Sequence, residues 1–247
     1  MEIKKVEGII LTETNYSESS KILNILTKDY GLIGVISKGC RKVKSKLRSV
    51  STKFIYGNFH IYYKENGLST LIDVDLINSF TNIMTSIDKI TYLSYLSELT
   101  NQVMKQTDDN LFKLFISAIL KIEEGMDPEI ITDILEMKYL DVLGITPVID
   151  GCSLCGNDED IVTIDVDSGG YVCKDCYTNQ KIYSDKTIKL IRMFYYVDIE
   201  KISKLSIHDD IKKEISEFLE DYYDKYTGLY LKSKKFIKDL KKITTKE

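Results

Sequence analysis

Four of the five cysteines form two pairs of identical spacing, Cys152-Ser-Leu-Cys155 and Cys173-Lys-Asp-Cys176, with 17 residues between them. Tetrahedral zinc takes four ligands, with each sulfur about 2.3 Å from the ion. The intervening residues can form a hairpin that turns at Ser168-Gly169-Gly170 and brings the second pair back to the first. Four protein ligands leave no open coordination position, so the pattern predicts a structural zinc ribbon. Redox disulfides and unmetallated cysteines are the alternatives.

A second cluster is basic. The chain has a formal net charge of −4, yet residues 1–80 carry 12 basic and 8 acidic side chains. The other 167 residues carry 22 basic and 30 acidic side chains. From Ser37 to Lys64 there are eight basic residues and no acidic one. The part of this stretch that precedes Phe54, residues 38–53, is called the basic segment below; its composition predicts a mobile loop that binds phosphates, and a solvated loop is the alternative. Its candidate phosphate ligands are Lys38, Arg41, Lys42, Lys44, Lys46 and Arg48. The other basic stretch, residues 232–246, has the composition of a solvated tail.

Aromatic residues follow the basic segment directly. Along the run from Phe54 to Tyr63, alternate side chains must face opposite sides of a strand. We expect Ile55, Phe59 and Ile61 to face the interior. That orientation leaves Tyr56 or Tyr62 outside as a platform for base stacking. The alternative is that these tyrosines cover the helical part of the chain.

The elements that position these residues are strands at first. Residues 3–76 contain five apolar runs at intervals of about ten residues, which is typical of a small closed barrel. Asn66-Gly67 predicts an antiparallel hairpin between the fourth and fifth runs. In a five-stranded oligonucleotide-binding barrel (OB-fold), loops and one strand face form an electropositive groove for single strands.

From about residue 82 the apolar period becomes helical, and it returns after residue 182. The sequence therefore predicts an α+β multidomain chain: an OB-fold barrel over 1–80 and a helical domain over 81–247, with an inserted four-cysteine zinc module at 148–182. No apolar run is long enough for a transmembrane helix, and the first residues do not resemble a signal peptide. We expect a cytoplasmic protein.

Catalytic signals are weak. The two histidines, His60 and His208, lie in no motif with a nucleophile, and no phosphate-binding loop or metalloprotease motif is present. We therefore expect no enzymatic activity. A metal-dependent nuclease is the alternative, since carboxylates are numerous.

Several blocks resemble the bacterial recombination mediator family RecO. They cover nearly the whole chain in order: Glu7-Gly-Ile-Ile-Leu11, Tyr30-Gly-Leu-Ile33, Lys38-Gly-Cys-Arg-Lys42, Leu143-Gly-Ile-Thr-Pro147 leading into Cys152, and Tyr230-Leu-Lys-Ser-Lys-Lys-Phe236. The four cysteines match the zinc-bearing branch of that family. The basic segment matches its DNA-binding barrel by position and residue type only.

The resemblance implies functions that composition cannot show. Members bind single- and double-stranded DNA, anneal complementary strands and act with a RecR-type partner. They help to load the RecA recombinase onto strands coated by single-strand-binding protein (SSB), and they recognise the acidic C-terminal tail of SSB. A zinc-ribbon scaffold that contacts protein only is the alternative from another functional class.

Overall fold

The structure, a computed structural model, describes residues 2–234, 236 and 237. The chain divides into two compact units. Within the described residues, the first comprises residues 2–116 together with Ser233, Lys234, Phe236 and Ile237, and the second comprises Ser117–Lys232.

The first unit is built on a closed five-stranded barrel. Its strands are β1 (Glu2–Tyr16), β2 (Ser20–Thr27), β3 (Gly31–Ser37), β4 (Tyr56–Tyr63) and β5 (Ser69–Asn78). Their order, β1-β2-β3-β5-β4, is that of an OB-fold, and the parallel pairing of β3 with β5 closes the barrel. The predicted hairpin between β4 and β5 is antiparallel, as expected, and Gly67 in its turn adopts φ +118°.

The barrel core consists of inward-facing aliphatic side chains and one phenylalanine. Phe59 and Ile61 are fully enclosed, and Ile55 packs against the same cluster, so the predicted orientation of β4 is confirmed. The alternation of buried and exposed residues follows from the two-residue period of a strand. The buried members are Val6, Ile10, Leu23, Ile25, Val35, Phe59, Ile61, Leu71 and Val74.

Helices follow the barrel in the chain: α1 (Thr81–Met84), α2 (Ile87–Val103) and α3 (Phe112–Glu123). Ser86 caps α2, because its hydroxyl accepts a hydrogen bond from the Lys89 amide. Strand β1 contacts α2, and Ile9 on β1 is fully buried. One part of the outer barrel surface is therefore not available to a ligand.

The second unit combines helices with a small sheet. Its elements are α4 (Pro128–Val142), β6 (Val148–Cys152), β7 (Ile161–Asp165), β8 (Gly170–Cys173), α5 (Asp185–Tyr196), a short 3-10 turn (Ile199–Lys201) and α6 (Asp209–Tyr226). Asp127 caps α4, because its carboxylate accepts hydrogen bonds from the amides of Glu129 and Ile130. The sheet has the order β6-β8-β7, with β7 and β8 forming the predicted hairpin.

Among the described residues, the helices are too short or too polar to cross a membrane.

Candidate metal centre and nucleic-acid interface

The four cysteines of the two pairs converge on one point of the second unit. Their sulfur atoms all lie within 4.8 Å of one another, and the Cys155 and Cys173 sulfurs are 3.6 Å apart. Four sulfurs placed tetrahedrally around one ion at 2.3 Å would be about 3.8 Å apart. The arrangement therefore fits a single four-coordinate metal ion and is compatible with zinc. None of the four cysteines forms a disulfide, and the 3.6 Å between the Cys155 and Cys173 sulfurs is far longer than a disulfide bond, so the disulfide alternative is not what the structure shows.

Local backbone geometry positions the sulfurs. Cys152 ends β6 and Cys173 ends β8, while the other member of each pair lies in the tight turn that follows. The Gly156 amide donates to the Cys152 carbonyl at 2.8 Å, and the Cys176 amide donates to the Cys173 carbonyl at 3.1 Å. Gly156 adopts φ +80°, a conformation that a residue with a Cβ rarely takes. Each two-residue gap thus turns both sulfurs of a pair toward the same point.

The electrostatics of the cluster favour a cation. Burial raises the pKa of Cys152, but backbone N–H groups of Cys173, Leu154 and Cys155 lower it more, to about 6. The thiols of Cys155 and Cys173 raise the pKa of Cys176 to about 12. Crowded thiols do not readily ionise together without a positive charge among them, and a divalent ion provides it.

The basic segment lies between β3 and β4 and is folded, which differs from the mobile loop predicted. It forms successive turns, with backbone hydrogen bonds from Lys42 to Gly39, from Ser45 to Lys42 and from Arg48 to Ser45. Its apolar residues Leu47 and Val50 pack against the barrel core. The segment is therefore anchored, and its conformation depends on the barrel beneath it.

Contacts with the turn between β1 and β2 fix the start of this segment. The Arg41 amide donates to the Ser19 carbonyl at 2.9 Å, and its guanidinium donates to the Ser17 carbonyl at 3.2 Å. Near the other end, the Ser37 and Ser51 hydroxyls share a buried hydrogen bond of 2.7 Å.

All six predicted phosphate ligands are exposed on the anchored segment. Within the part of the chain that the structure describes, none of the six forms an ion pair with a carboxylate. Lys53 is different: it is half-buried, burial lowers its pKa, and its ammonium lies 4.4 Å from the centre of the Phe54 ring. The six ligands thus present unneutralised positive charge to solvent. Of the C-terminal basic stretch, Lys235 and the residues from Lys238 onward lie outside the described residues.

The two candidate stacking tyrosines have different environments. Tyr56 is only 8% exposed; its ring lies against Phe80 and Phe112, and its hydroxyl donates to Glu7 at 2.6 Å. A stacking role for Tyr56 is therefore wrong, and the alternative that it covers the helical part of the chain is confirmed. Tyr62 is 41% exposed and remains a candidate. Tyr16, at the end of β1 beside the turn residues 17–19, is a further exposed aromatic of the barrel that the sequence pattern did not single out.

Two family models match this chain. Recombination protein O N terminal matches residues 1–80, and Recombination protein O C terminal matches residues 84–235. The chain belongs to the RecO family. The sequence is 34% identical over 245 residues to DNA repair protein RecO of Listeria innocua, covering 97% of this chain and 96% of that protein. It is 35% identical over 241 residues to DNA repair protein RecO of Bacillus pumilus, covering 96% and 94%. The resemblance stated from the sequence blocks is confirmed, and RecO-family membership applies to both units.

Proposed function

We propose that this RecO-family chain is a non-enzymatic DNA-binding mediator of recombinational repair. Membership in a family whose curated relatives are named DNA repair proteins supports that role. The observation that carries DNA binding is the set of six exposed, unpaired cations anchored on an OB-fold barrel. Such a surface neutralises phosphates and needs no base-reading element, so binding is sequence-tolerant.

The finer activities belong to the same proposal. The chain binds single- and double-stranded DNA and anneals complementary strands, because a cationic surface reduces repulsion between two polyanions while base pairing supplies the free energy. It acts with a RecR-like partner, recognises the C-terminal tail of SSB and helps to load RecA on SSB-coated strands in the cytoplasm. In this proposal residues 1–80 are the DNA-binding domain and residues 81–247 the helical domain, with the metal module at 148–182. The compact units divide the chain differently, because α1 and α2 belong to the same unit as the barrel.

We assign zinc as the metal on the chemistry of the donors. Four thiolates in a tetrahedron suit zinc, and closed four-ligand sites are structural. Bound there, the ion would tie β6 to β8 and stabilise the module. Cys152, Cys155, Cys173 and Cys176 are its ligands.

Charge reversal of the basic segment tests the proposal. A variant with Arg41, Lys42, Lys44 and Lys46 all changed to Glu is titrated with single- and double-stranded oligonucleotides at several salt concentrations and assayed for annealing. The matched control reverses four exposed lysines of the second unit, Lys186, Lys189, Lys204 and Lys213, and so has the same net charge. We expect the first variant to lose salt-dependent binding and annealing, and the control to retain both.

The alternatives predict other outcomes. Equal DNA binding by both variants, or none by the wild type, would overturn the DNA-binding proposal in favour of a protein-only zinc-ribbon scaffold. Sustained cleavage of the oligonucleotides by pure protein with magnesium or manganese would overturn the non-enzymatic assignment in favour of a nuclease.

A further inference from the structure

The exposed Tyr16 lies beside the start of the basic segment. It ends β1, is 48% exposed and pairs with Ser20 across the β1–β2 hairpin. The Ser20 hydroxyl accepts a hydrogen bond from the Gly39 amide at 3.2 Å. Only β2 therefore lies between Tyr16 and the point after β3 where the cations begin. The two hydrogen bonds from Arg41 to the turn between β1 and β2 hold the basic segment against that hairpin.

A row of side chains that are not buried continues from Tyr16 around the outer barrel surface. Residues paired directly across strands face the same side of a sheet. The registers place Thr14 opposite Ile22, Ile22 opposite Ile36, Ile36 opposite Thr70, and Thr70 opposite Tyr62. At about 4.8 Å per strand, this row spans roughly 19 Å along the curved sheet. We call Thr14, Ile22, Ile36, Thr70 and Tyr62 the outer row.

The outer row contains no charged side chain, and its charged borders are mainly basic. Lys38 continues β3 beyond Ile36 and Ser37, and the other five cations follow it. The acidic side chains in the bordering turns are Glu18, in the hairpin turn beside Tyr16, and Glu65, beside Lys64. A polyanion bound to this face would thus contact the cations of the protein along the side that borders the basic segment.

The row suits an occupant that has both phosphates and exposed planar rings. Isoleucine, threonine and tyrosine side chains make apolar and stacking contacts, while the neighbouring cations bind a backbone. Bases in a duplex already stack on each other, so only a single strand can offer its ring faces to tyrosine. We infer that the outer row binds single-stranded nucleic acid and that Tyr16 is a stacking platform at its end. This inference rests on the proposed DNA binding by the basic segment.

The test compares a single strand with bases, a single strand without bases and a duplex. The probes are a fluorescent oligothymidylate, an abasic deoxyribose-phosphate chain of the same length, and a duplex, each titrated with wild type, Tyr16→Ala and Tyr16→Phe. Base–aromatic stacking predicts that Tyr16→Ala weakens oligothymidylate binding by roughly 5- to 150-fold. The abasic chain and the duplex should bind as before, and Tyr16→Phe, which keeps the ring, should match the wild type.

Two results would overturn the inference. Unchanged oligothymidylate binding by Tyr16→Ala shows that the ring does not stack on bases. An equal loss on all three probes shows that the substitution disturbs the hairpin. If charge reversal of the basic segment still abolishes binding in either case, the proposed function stands and only the stacking role fails.

Discussion

The Tyr56 hydroxyl donates a hydrogen bond to Glu7 Oε1 across 2.6 Å and thereby links β4 to β1 on the outside of the barrel. Glu7 also pairs with Lys28 at 3.1 Å. The hydrogen bond from Tyr56, together with Lys28, holds the pKa of Glu7 below its usual value of 4.5, although partial burial opposes this. Tyr56 thus has a structural role.

Removing this hydroxyl should reduce stability without affecting DNA binding. We expect Tyr56→Phe to lower the free energy of unfolding by about 1 kcal/mol at neutral pH, measured by urea denaturation. A carboxylate with a lowered folded-state pKa stabilises the protein above pH 4.5 and loses that contribution as the pH falls through the folded-state pKa. The difference between variant and wild type should therefore shrink in acid.

The control for this substitution is Tyr62→Phe, which removes a hydroxyl from an exposed tyrosine of the same strand. Its stability should equal that of the wild type at both pH values. A pH-independent loss in Tyr56→Phe would show that Glu7 is not the relevant partner.

The apolar residues of the basic segment give a second prediction. Leu47 is half-buried against the barrel core, whereas Val43 in the same segment is 84% exposed. Leu47→Ala should lower the free energy of unfolding by roughly 1–2 kcal/mol, less than a fully buried leucine would. Val43→Ala should change it by less than about 0.5 kcal/mol. Equal effects in thermal or urea unfolding would mean that the segment is not anchored as the structure shows.

The barrel strands could be predicted because their information is local. The five apolar runs become the five strands, and the turn signal at Asn66-Gly67 separates the runs that become β4 and β5. The cysteine cluster was predictable for the same reason, since each pair sits in one tight turn. Strand β6 (Val148–Cys152), which joins β7 and β8 in the sheet of the second unit, was not predicted, because a five-residue strand leaves little periodic signal.

The fold of the basic segment could not be predicted, because it depends on distant partners. Residues 38–55 show neither strand nor helical period, and their turns are held by Ser19, Ser20 and the barrel core. Tyr56 and Tyr62 share one side of β4, so alternation alone cannot separate them. The two tyrosines differ because Phe80 and Phe112 pack against Tyr56.

Metal removal gives a third prediction. We expect about one zinc ion per purified chain, measured by elemental analysis, and its loss in Cys155→Ser. Because folding of the module is coupled to metal binding, a strong chelator should lower the free energy of unfolding by at least roughly 3 kcal/mol.

The fifth cysteine provides the control for the metal site. Cys40 is buried in the first unit, outside the cluster, so Cys40→Ala should retain the metal in full. Full zinc content in Cys155→Ser would contradict a four-cysteine site, and stoichiometric iron in the wild type would contradict zinc as the ion.

The salt dependence of binding separates exposed from half-buried cations on the same segment. If about five cations contact phosphates of a single strand, log Kd should rise with log salt with a slope near 3.5, so that Kd rises about 100-fold from 50 to 200 mM salt.

Lys44→Gln removes one exposed contact and should reduce that slope by about 0.7. Lys53→Gln is the matched control, because the Lys53 ammonium packs over the Phe54 ring and should leave the slope unchanged. A Lys44→Gln variant that binds more weakly by the same factor at every salt concentration would show that Lys44 does not release counterions and so does not contact a phosphate. The slope, more than the affinity, therefore decides whether these exposed charges contact the DNA backbone.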